Sequence, residues 1–197
     1  SHAALRMPRV TTAFAAALAL FMPLGRPMLV GVTPAVGIGA GLLTTQAAYT
    51  KTADAWLEAG DQKYDSGDYQ GAISDYTSAI QINPNYADAY NNRGNAKGEL
   101  KDDQGAIADY TKAIQINPND SDFYYNRGIS KGELKDYQGA ISDYSEAIEI
   151  NPENYQAYTN RGVILEIVGD LKSACEDWKK AEALGDVLPI EWVRNQC

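Results

Sequence analysis

The sequence predicts an all-α solenoid, in which helical hairpins stack side by side. A 34-residue pattern occurs four times between about residues 53 and 186, and a proline closes each of the first three units. Small and aromatic residues recur at fixed places in that pattern, as Gly60, Gly94, Gly128 and Gly162 illustrate. Repeats of this length are typical of paired helices, which bury a continuous core only by stacking on their neighbours.

Each unit is predicted to contain two helices, called here helix A and helix B. In the second unit, helix A covers about Ala87–Leu100 and helix B covers about Asp103–Ile116. An Asn-Pro pair follows helix B in the first three units, and proline cannot continue a helix. In the other units we expect helix A to begin near Ala53, Ser121 and Tyr155, and helix B to begin near Tyr69, Tyr137 and Leu171.

Small residues predict where the two helices of a hairpin touch. We expect Gly94 of helix A to lie against Ala106 of helix B, with Ala113 directed toward the next unit, because larger side chains would hold the backbones apart. Aromatic side chains are expected to fill the remaining space. They are Trp56, Tyr90, Tyr124 and Tyr158 on helix A, and Tyr76, Tyr110, Tyr144 and Trp178 on helix B.

These aromatic, glycine, alanine and proline positions resemble the tetratricopeptide repeat over residues 53–186. The resemblance implies a right-handed superhelix of four units, about 53–86, 87–120, 121–154 and 155–186, in which helix A lines a concave groove. The fourth unit ends in Gly185-Asp186 rather than Asn-Pro, and Leu188–Gln196 resembles a capping helix. The repeat domain is therefore expected over 51–197, with its cap at 187–197. The amino-acid pattern of the repeats is similar to that of cyanobacterial and plastid members of the family.

Charge and composition argue for a protein partner. Residues 51–197 carry 14 basic and 26 acidic groups, a net charge of −12, since the chain's 17 basic residues include only Arg6, Arg9 and Arg26 before that point. Such an acidic domain argues against nucleic acid, because phosphate binding needs clustered Lys and Arg. The single histidine is His2. We therefore expect no enzyme activity, no metal site and no cofactor.

The first fifty residues are predicted to form a separate apolar segment. Residues 27–50 contain no charge, and residues 28–48 are long enough to cross a membrane as a helix. A secretory or thylakoid-transfer signal is the alternative. We expect a retained anchor, in which Gly37 and Gly41 form a G-x-x-x-G packing face. The arginines before this span would place the repeats on the lumenal or periplasmic side, and a thylakoid membrane is suspected.

Two series of polar residues recur one period apart on the predicted helices. Arg93, Arg127 and Arg161 precede the glycines of helix A, while Asp75, Asp109, Asp143 and Asp177 precede the helix-B aromatics. We expect structural ion pairs between units, with a ligand-binding arginine row as the alternative. The other series is asparagine-rich, and its amides would bind the backbone of an extended peptide. The residues predicted to contact a partner are Asn91, Asn92, Asn95, Tyr125, Asn126 and Asn160.

Two further features bear on the type of partner and on the compartment. The family's clamp for a C-terminal carboxylate needs Lys and Arg along the groove, whereas this chain has Leu57, Asp61, Asp88 and Asp122 at the matching places. Cys175 and Cys197 fall in the last unit and its cap, where a disulfide would pin the cap and contribute about 3 kcal/mol. Two unpaired thiols are the alternative, and a disulfide would agree with an oxidising compartment.

The sequence therefore predicts a membrane-anchored scaffold or assembly factor that binds a partner protein through the concave groove. The alternative is a permanent accessory subunit of a large membrane complex, for which the plastid-like style suggests a photosystem. In that alternative, residues 28–48 pack against other membrane helices and the repeats cover a partner's soluble face.

Overall fold

The computed structural model describes residues 51–187 and residue 197, which form eight α-helices in an unbroken series of hairpins. Every helix begins at the residue that the periodicity predicts. Odd-numbered helices are the A helices and even-numbered helices are the B helices of the four units. They are α1 Ala53–Asp65, α2 Tyr69–Ile82, α3 Ala87–Glu99, α4 Asp103–Ile116, α5 Ser121–Glu133, α6 Tyr137–Ile150, α7 Tyr155–Ile167 and α8 Leu171–Ala183.

The B helices share one capping device. An aspartate stands at the N-cap of each, and its carboxylate accepts a hydrogen bond from the backbone N–H three residues later. In the first three B helices that later residue is glycine. A Cβ at Gly71 would lie 2.1 Å from the carboxylate of Asp68, so the close cap excludes a side chain there. The four caps are Asp68, Asp102, Asp136 and Asp170.

The glycine of each A helix packs against the aromatic ring of its own B helix. A Cβ at Gly94 would lie 2.6 Å from Cε1 of Tyr110, and the three atoms nearest to it all belong to that ring. The contact between Gly94 and Ala106 that the sequence predicts stays a prediction, and the ring of Tyr110 is the contact that requires a glycine at residue 94. Ala106 and Ala113 are fully buried on helix B. The same contact joins Gly60 to Tyr76, Gly128 to Tyr144 and Gly162 to Trp178.

Contacts between units place the A helices on the inside of the repeat array. Each A helix touches the A helix of the next unit, whereas the described residues show no such contact between successive B helices. In a curved array, neighbouring helices lie closer together on the inner side than on the outer side. The concave side is therefore formed by the A helices, which are α1, α3, α5 and α7. The all-α solenoid predicted from the sequence is confirmed.

Several predictions concern residues that the structure does not describe. The proposed anchor at residues 28–48, with Gly37 and Gly41, and the capping helix at 188–196 lie outside the described ranges. In the described part of the chain, no helix combines the length and the apolar character of a membrane span. Cys175 of α8 is joined to Cys197 by a disulfide, with 5.6 Å between the two Cα atoms, which ties residue 197 to the last helix.

Candidate functional site

The concave surface carries a row of hydrogen-bonded polar side chains that crosses all four A helices. We call this row the polar ladder. Its members are Asp61 on α1, Asn91 and Asn92 on α3, Tyr125 and Asn126 on α5, and Asn160 on α7.

The polar ladder joins each unit to the next. Asn92 donates from Nδ2 to Asp61 at 3.0 Å, and Asn126 donates to Oδ1 of Asn91 at 3.0 Å. Asn160 donates to the hydroxyl of Tyr125 at 3.1 Å. An asparagine amide offers two donors and two acceptor sites, so these single bonds leave capacity for a ligand. The structure therefore brings together on one surface the asparagines and the tyrosine that the sequence singled out.

Asn95 takes part in a bond within its own unit. It accepts a hydrogen bond of 2.8 Å from the hydroxyl of Tyr110, in the way that Asp61 accepts one of 2.8 Å from Tyr76. Each of these bonds fixes a helix-B ring against helix A. The carboxylate of Asp61 thus serves both the intra-unit bond from Tyr76 and the inter-unit bond from Asn92.

The arginines are held by a buried ionic network beneath this surface. Arg127 binds Asp143 through two hydrogen bonds of 2.8 Å, and it also donates to Thr111 at 3.1 Å. Asp143 lies on α6 of the same unit, whereas Thr111 lies on α4 of the preceding unit. The expectation of ion pairs was right, but each pair is formed within a unit. The hydrogen bond between units goes instead to the hydroxyl of Thr111. The guanidinium has enough N–H donors to bind this hydroxyl and the carboxylate of Asp143 at the same time.

The network differs at the two ends of the repeats. Asp109 and Asp143 each receive a lysine as well as an arginine. In the first unit Lys63 alone binds Asp75, at 2.7 Å, and the position of the arginine holds Ala59. In the fourth unit Arg161 alone binds Asp177, at 2.7 Å. Since Arg93, Arg127 and Arg161 each have a carboxylate partner, this arginine row does not present free cations to a ligand.

Two pockets lie on the concave surface at equivalent places, two repeat periods apart. The first pocket lies between α1 and α3 and has a volume of about 150 Å³. The second pocket lies between α5 and α7 and has a volume of about 390 Å³. Residue by residue, the second repeats the first: Asp61 corresponds to Ile129, Tyr64 to Gly132, Asp65 to Glu133, Tyr76 to Tyr144, Asn92 to Asn160, and Asn95 to Val163.

The first pocket is lined by carboxylates, amides and two tyrosines, one of which, Tyr64, forms an aromatic pair with Tyr69. The rings of Tyr64 and Tyr69 meet edge to face, with their centroids 5.3 Å apart. Burial raises the pKa of the Tyr76 hydroxyl, and its hydrogen bond to Asp61 raises it further. Another bond joins these two units: Tyr86 donates to Asp54 at 2.8 Å, and this tyrosine stands at the N-cap of α3 without a side-chain cap bond.

The second pocket is larger, and four aliphatic side chains line it together with a glutamate, a lysine and an asparagine. Gly132 leaves open the space that Tyr64 fills in the first pocket. A Cβ built on Gly132 would lie 3.5 Å from its nearest neighbour, Cδ1 of Ile164. Ile129 and Ile167 line the pocket although their exposed fractions are 36% and 54%. Burial raises the pKa of the Tyr144 hydroxyl, while a hydrogen bond from the amide of Asn160 acts in the opposite direction.

Sequence reasoning missed this second pocket. The signal lay in breaks of the periodic pattern, where Asp61 and Asn95 give way to Ile129 and Val163, and where Tyr64 gives way to Gly132. An apolar residue on a helix face that is polar in other units indicates exposed apolar surface. Within the described ranges, no cluster of three or more His, Cys, Asp or Glu side chains has the arrangement of a metal site.

Comparison with family models identifies the repeats. A tetratricopeptide repeat model matches residues 87–120 and again 121–154, and two further repeat models of this type match residues 60–101 and 144–176. The chain belongs to the tetratricopeptide repeat family. Such repeats mediate protein–protein interaction and are typically non-enzymatic scaffolds. The matches lend no support to a cyanobacterial or plastid origin, and a sequence comparison with curated proteins finds no match.

Solved structures of other tetratricopeptide repeat proteins resemble this one. A crystal structure of MamA superimposes with a TM-score of 0.67 at 27% identity, covering 70% of this chain and 81% of that one. The Arabidopsis OM64 repeat domain gives 0.58 at 29% identity, covering 59% of this chain and 96% of that one. The first repeat domain of Spaghetti (RPAP3), bound to the HSP90 peptide SRMEEVD, gives 0.59 at 26% identity, covering 60% and 94% respectively.

Proposed function

We propose that this tetratricopeptide repeat protein is an interaction scaffold that binds an extended segment of a partner protein along its concave surface. The observation that carries the proposal is the polar ladder, because it presents amide groups in register across successive A helices. A row of amides can exchange its bonds for those of a peptide backbone, which offers one donor and one acceptor per residue.

The charge of the surface separates this scaffold from the relative that holds the acidic peptide SRMEEVD. Asp61 and Asp65 line the first pocket, and Asp88 lies in the first turn of α3. These carboxylates would repel an acidic peptide, and the cations beneath them are engaged by aspartates of the B helices. We therefore propose a partner segment that is neutral or basic.

The test is quantitative affinity purification with the full-length chain as bait. The variant Asn126→Ala with Asn160→Ala removes two rungs of the polar ladder, and we expect partner recovery to fall at least about fivefold, since each hydrogen bond contributes about 1 kcal/mol. The matched control is Asn85→Ala with Asn119→Ala, which makes the same change in the loops between units. Equal recovery by the two variants and the wild type would remove the polar ladder from the binding surface.

We further propose that residues 28–48 anchor the protein in a membrane, with the repeats on the lumenal or periplasmic side and a thylakoid as the suspected membrane. This part rests on the uncharged sequence of that segment. Extraction of membranes at alkaline pH tests it, because an integral anchor resists extraction. Recovery of the whole protein in the extract would contradict the anchor.

The remaining candidate, a permanent subunit of a large membrane complex such as a photosystem, makes a different prediction. Native electrophoresis after mild detergent extraction should show a subunit entirely in one large band at fixed stoichiometry. A scaffold should instead spread over small assemblies, and the polar ladder, with its unused hydrogen-bonding capacity, favours that result.

A further inference from the structure

The hydroxyl of Tyr144 lacks the acceptor that its counterparts have. Tyr76 donates to Asp61 and Tyr110 donates to Asn95, both at 2.8 Å. One period after Asn95 stands Ile129, which has no polar atom in its side chain. Within residues 51–187 the structure records no acceptor for the Tyr144 hydroxyl, although Tyr144 is only 3% exposed and lines the second pocket.

This hydroxyl sets a chemical condition on any occupant of the second pocket. An occupant displaces the water that the hydroxyl would otherwise meet, so it must supply an acceptor or lose binding energy. Asn160 cannot fill that role with its amide nitrogen, because that nitrogen is itself a donor. A peptide carbonyl oxygen meets the condition, and every residue of an extended peptide carries one.

The walls of the second pocket set another condition. Ile129, Val163, Ile164 and Ile167 line a space of about 390 Å³, which Glu133 and Lys135 also border and in which residue 132 is glycine. Covering the aliphatic part of this surface with an apolar side chain removes both partners from water, which favours binding. The pocket therefore suits one large apolar side chain, such as leucine, isoleucine, methionine or phenylalanine.

The charges beyond the pocket select the residues that flank this side chain. Toward the first pocket the concave surface carries Asp61, Asp65 and Glu99, and Glu133 stands at the rim of the second pocket itself. At the second pocket Glu133 is accompanied by Lys135, which also lines the pocket. Toward the first pocket the lysines of α1 and α3 are bound by aspartates, Lys63 by Asp75 and Lys97 by Asp109. The potential is therefore negative near the first pocket, and it favours lysine or arginine in the part of the partner that lies there.

We propose that the second pocket is an anchor site for an extended, basic peptide of a partner protein, which inserts one large apolar side chain between α5 and α7. A carbonyl oxygen next to that side chain accepts the hydrogen bond of Tyr144, and a basic residue lies over Asp61 and Asp65. This inference rests on the proposed function and specifies its partner.

The spacing of the two elements follows from the repeat geometry. Adjacent packed helices lie about 10 Å apart, so the two pockets, two units apart, are separated by about 20 Å. An extended chain advances about 3.3 Å per residue. The basic residue should therefore stand about six positions from the apolar anchor.

The test begins with selection of random dodecapeptides, displayed on phage, against the full-length chain. The expected consensus contains one large apolar residue and, about six positions away, a lysine or arginine. Synthetic fluorescein-labelled versions of the selected peptides are then titrated with each variant and followed by fluorescence anisotropy. A consensus that lacks the basic residue, or that is acidic, would overturn the inference.

Two variants give the second pocket side chains that other units of this chain carry at the equivalent positions. Ile129→Asn supplies Tyr144 with the acceptor that Tyr110 has in Asn95, and it makes the wall polar. Gly132→Tyr fills the pocket as Tyr64 fills the first one. Each should weaken the selected peptides at least about tenfold, since burial of a large apolar side chain accounts for that much. Ile82→Asn, the same substitution at an exposed site of α2, should leave the affinity unchanged.

The outcomes separate the inference from the proposed function. Peptides that ignore Ile129→Asn and Gly132→Tyr but lose affinity with Asn126→Ala and Asn160→Ala would leave the groove as the binding surface and overturn the anchor site. Selection that yields no binding peptide at all would overturn both. Circular dichroism of each variant shows whether the helices are retained, and a variant that unfolds is replaced by Tyr144→Phe, for which the expected loss is about fivefold.

Discussion

The first and second pockets have the same backbone setting but different side chains at equivalent positions. Each lies between two successive A helices, and each contains a helix-B tyrosine and an asparagine of the polar ladder. Yet Asp61 and Tyr64 make the first pocket small and acidic, whereas Ile129 and Gly132 make the second one larger and add an aliphatic wall. A repeat array holds its fold by the shared positions, so the residues free to vary between units determine what each unit can bind.

The ionic network beneath the pockets gives the largest expected difference between units. Arg161→Met would leave Asp177, whose side chain is 8% exposed, without its cation, because residue 165 is leucine where the second and third units have lysine. Removing one partner of a buried pair costs about 3–5 kcal/mol. Arg127→Met should cost less, because Lys131 still binds Asp143. Denaturant unfolding followed by circular dichroism measures both, and equal losses would show that the lysine contributes nothing.

The two glycines of α5 should respond oppositely to alanine. A Cβ at Gly128 would lie 2.7 Å from Cε1 of Tyr144, and such overpacking costs about 1–3 kcal/mol. At Gly132 the nearest atom would be at 3.5 Å, so Gly132→Ala should gain about 1 kcal/mol from helix propensity. Thermal unfolding of the two variants measures these changes. Stabilisation by Gly128→Ala would contradict the assignment of the tyrosine ring as the contact that requires glycine.

Exchanging the acceptors of the two tyrosines tests the comparison directly. Asn95→Ile leaves the buried Tyr110 hydroxyl without its partner, which should cost about 1 kcal/mol or more. Ile129→Asn supplies Tyr144 with an acceptor in the same geometry and should leave stability nearly unchanged. A double-mutant cycle isolates each bond. Each variant is combined with phenylalanine at the tyrosine concerned, Tyr110→Phe or Tyr144→Phe, and the free energies of unfolding are compared. The idea fails if both substitutions destabilise equally.

The smallest expected effect concerns the hydrogen bond between Tyr86 and Asp54, which joins the first two units. Burial, followed by the hydrogen bond to Asp54, raises the pKa of Tyr86 to about 12 from its ordinary value of 10.0. In the unfolded chain this phenol ionises near pH 10, whereas the folded protein keeps it protonated. Its stabilising effect is therefore present below pH 10 and is lost as the pH rises toward 12.

Tyr86→Phe is the variant that measures this effect. It should cost well under 1 kcal/mol at neutral pH, because the bond lies near solvent and is screened. Unfolding of the wild type and the variant is compared from pH 8 to pH 11. The difference between them should shrink as the pH rises, and a difference that grows would contradict the direction of the pKa shift.

Much of the fold could be predicted because the 34-residue repeat determines where helices and turns lie. Gly94, Tyr110 and Pro118 recur at the same spacing in the other units, except that the fourth unit has a tryptophan and lacks the proline. This spacing predicts the residue at which each helix begins. The sequence also indicated which asparagines share a surface, since residues one period apart occupy the same place on successive helices. The disulfide partners were the only two cysteines available.

Contacts between residues of different position in the period could not be predicted in this way. The ring that requires glycine at residue 94 proved to be Tyr110, and the partner of Arg127 proved to be Asp143 of its own unit together with Thr111 of the preceding one. The missing acceptor of Tyr144 became visible only when Ile129 was placed opposite it. By itself, the sequence determined the repeat, its helices and its exposed rows, because these depend on local periodicity. Only the tertiary structure decided which rows meet across helices, because that depends on side-chain packing and hydrogen-bond geometry in three dimensions.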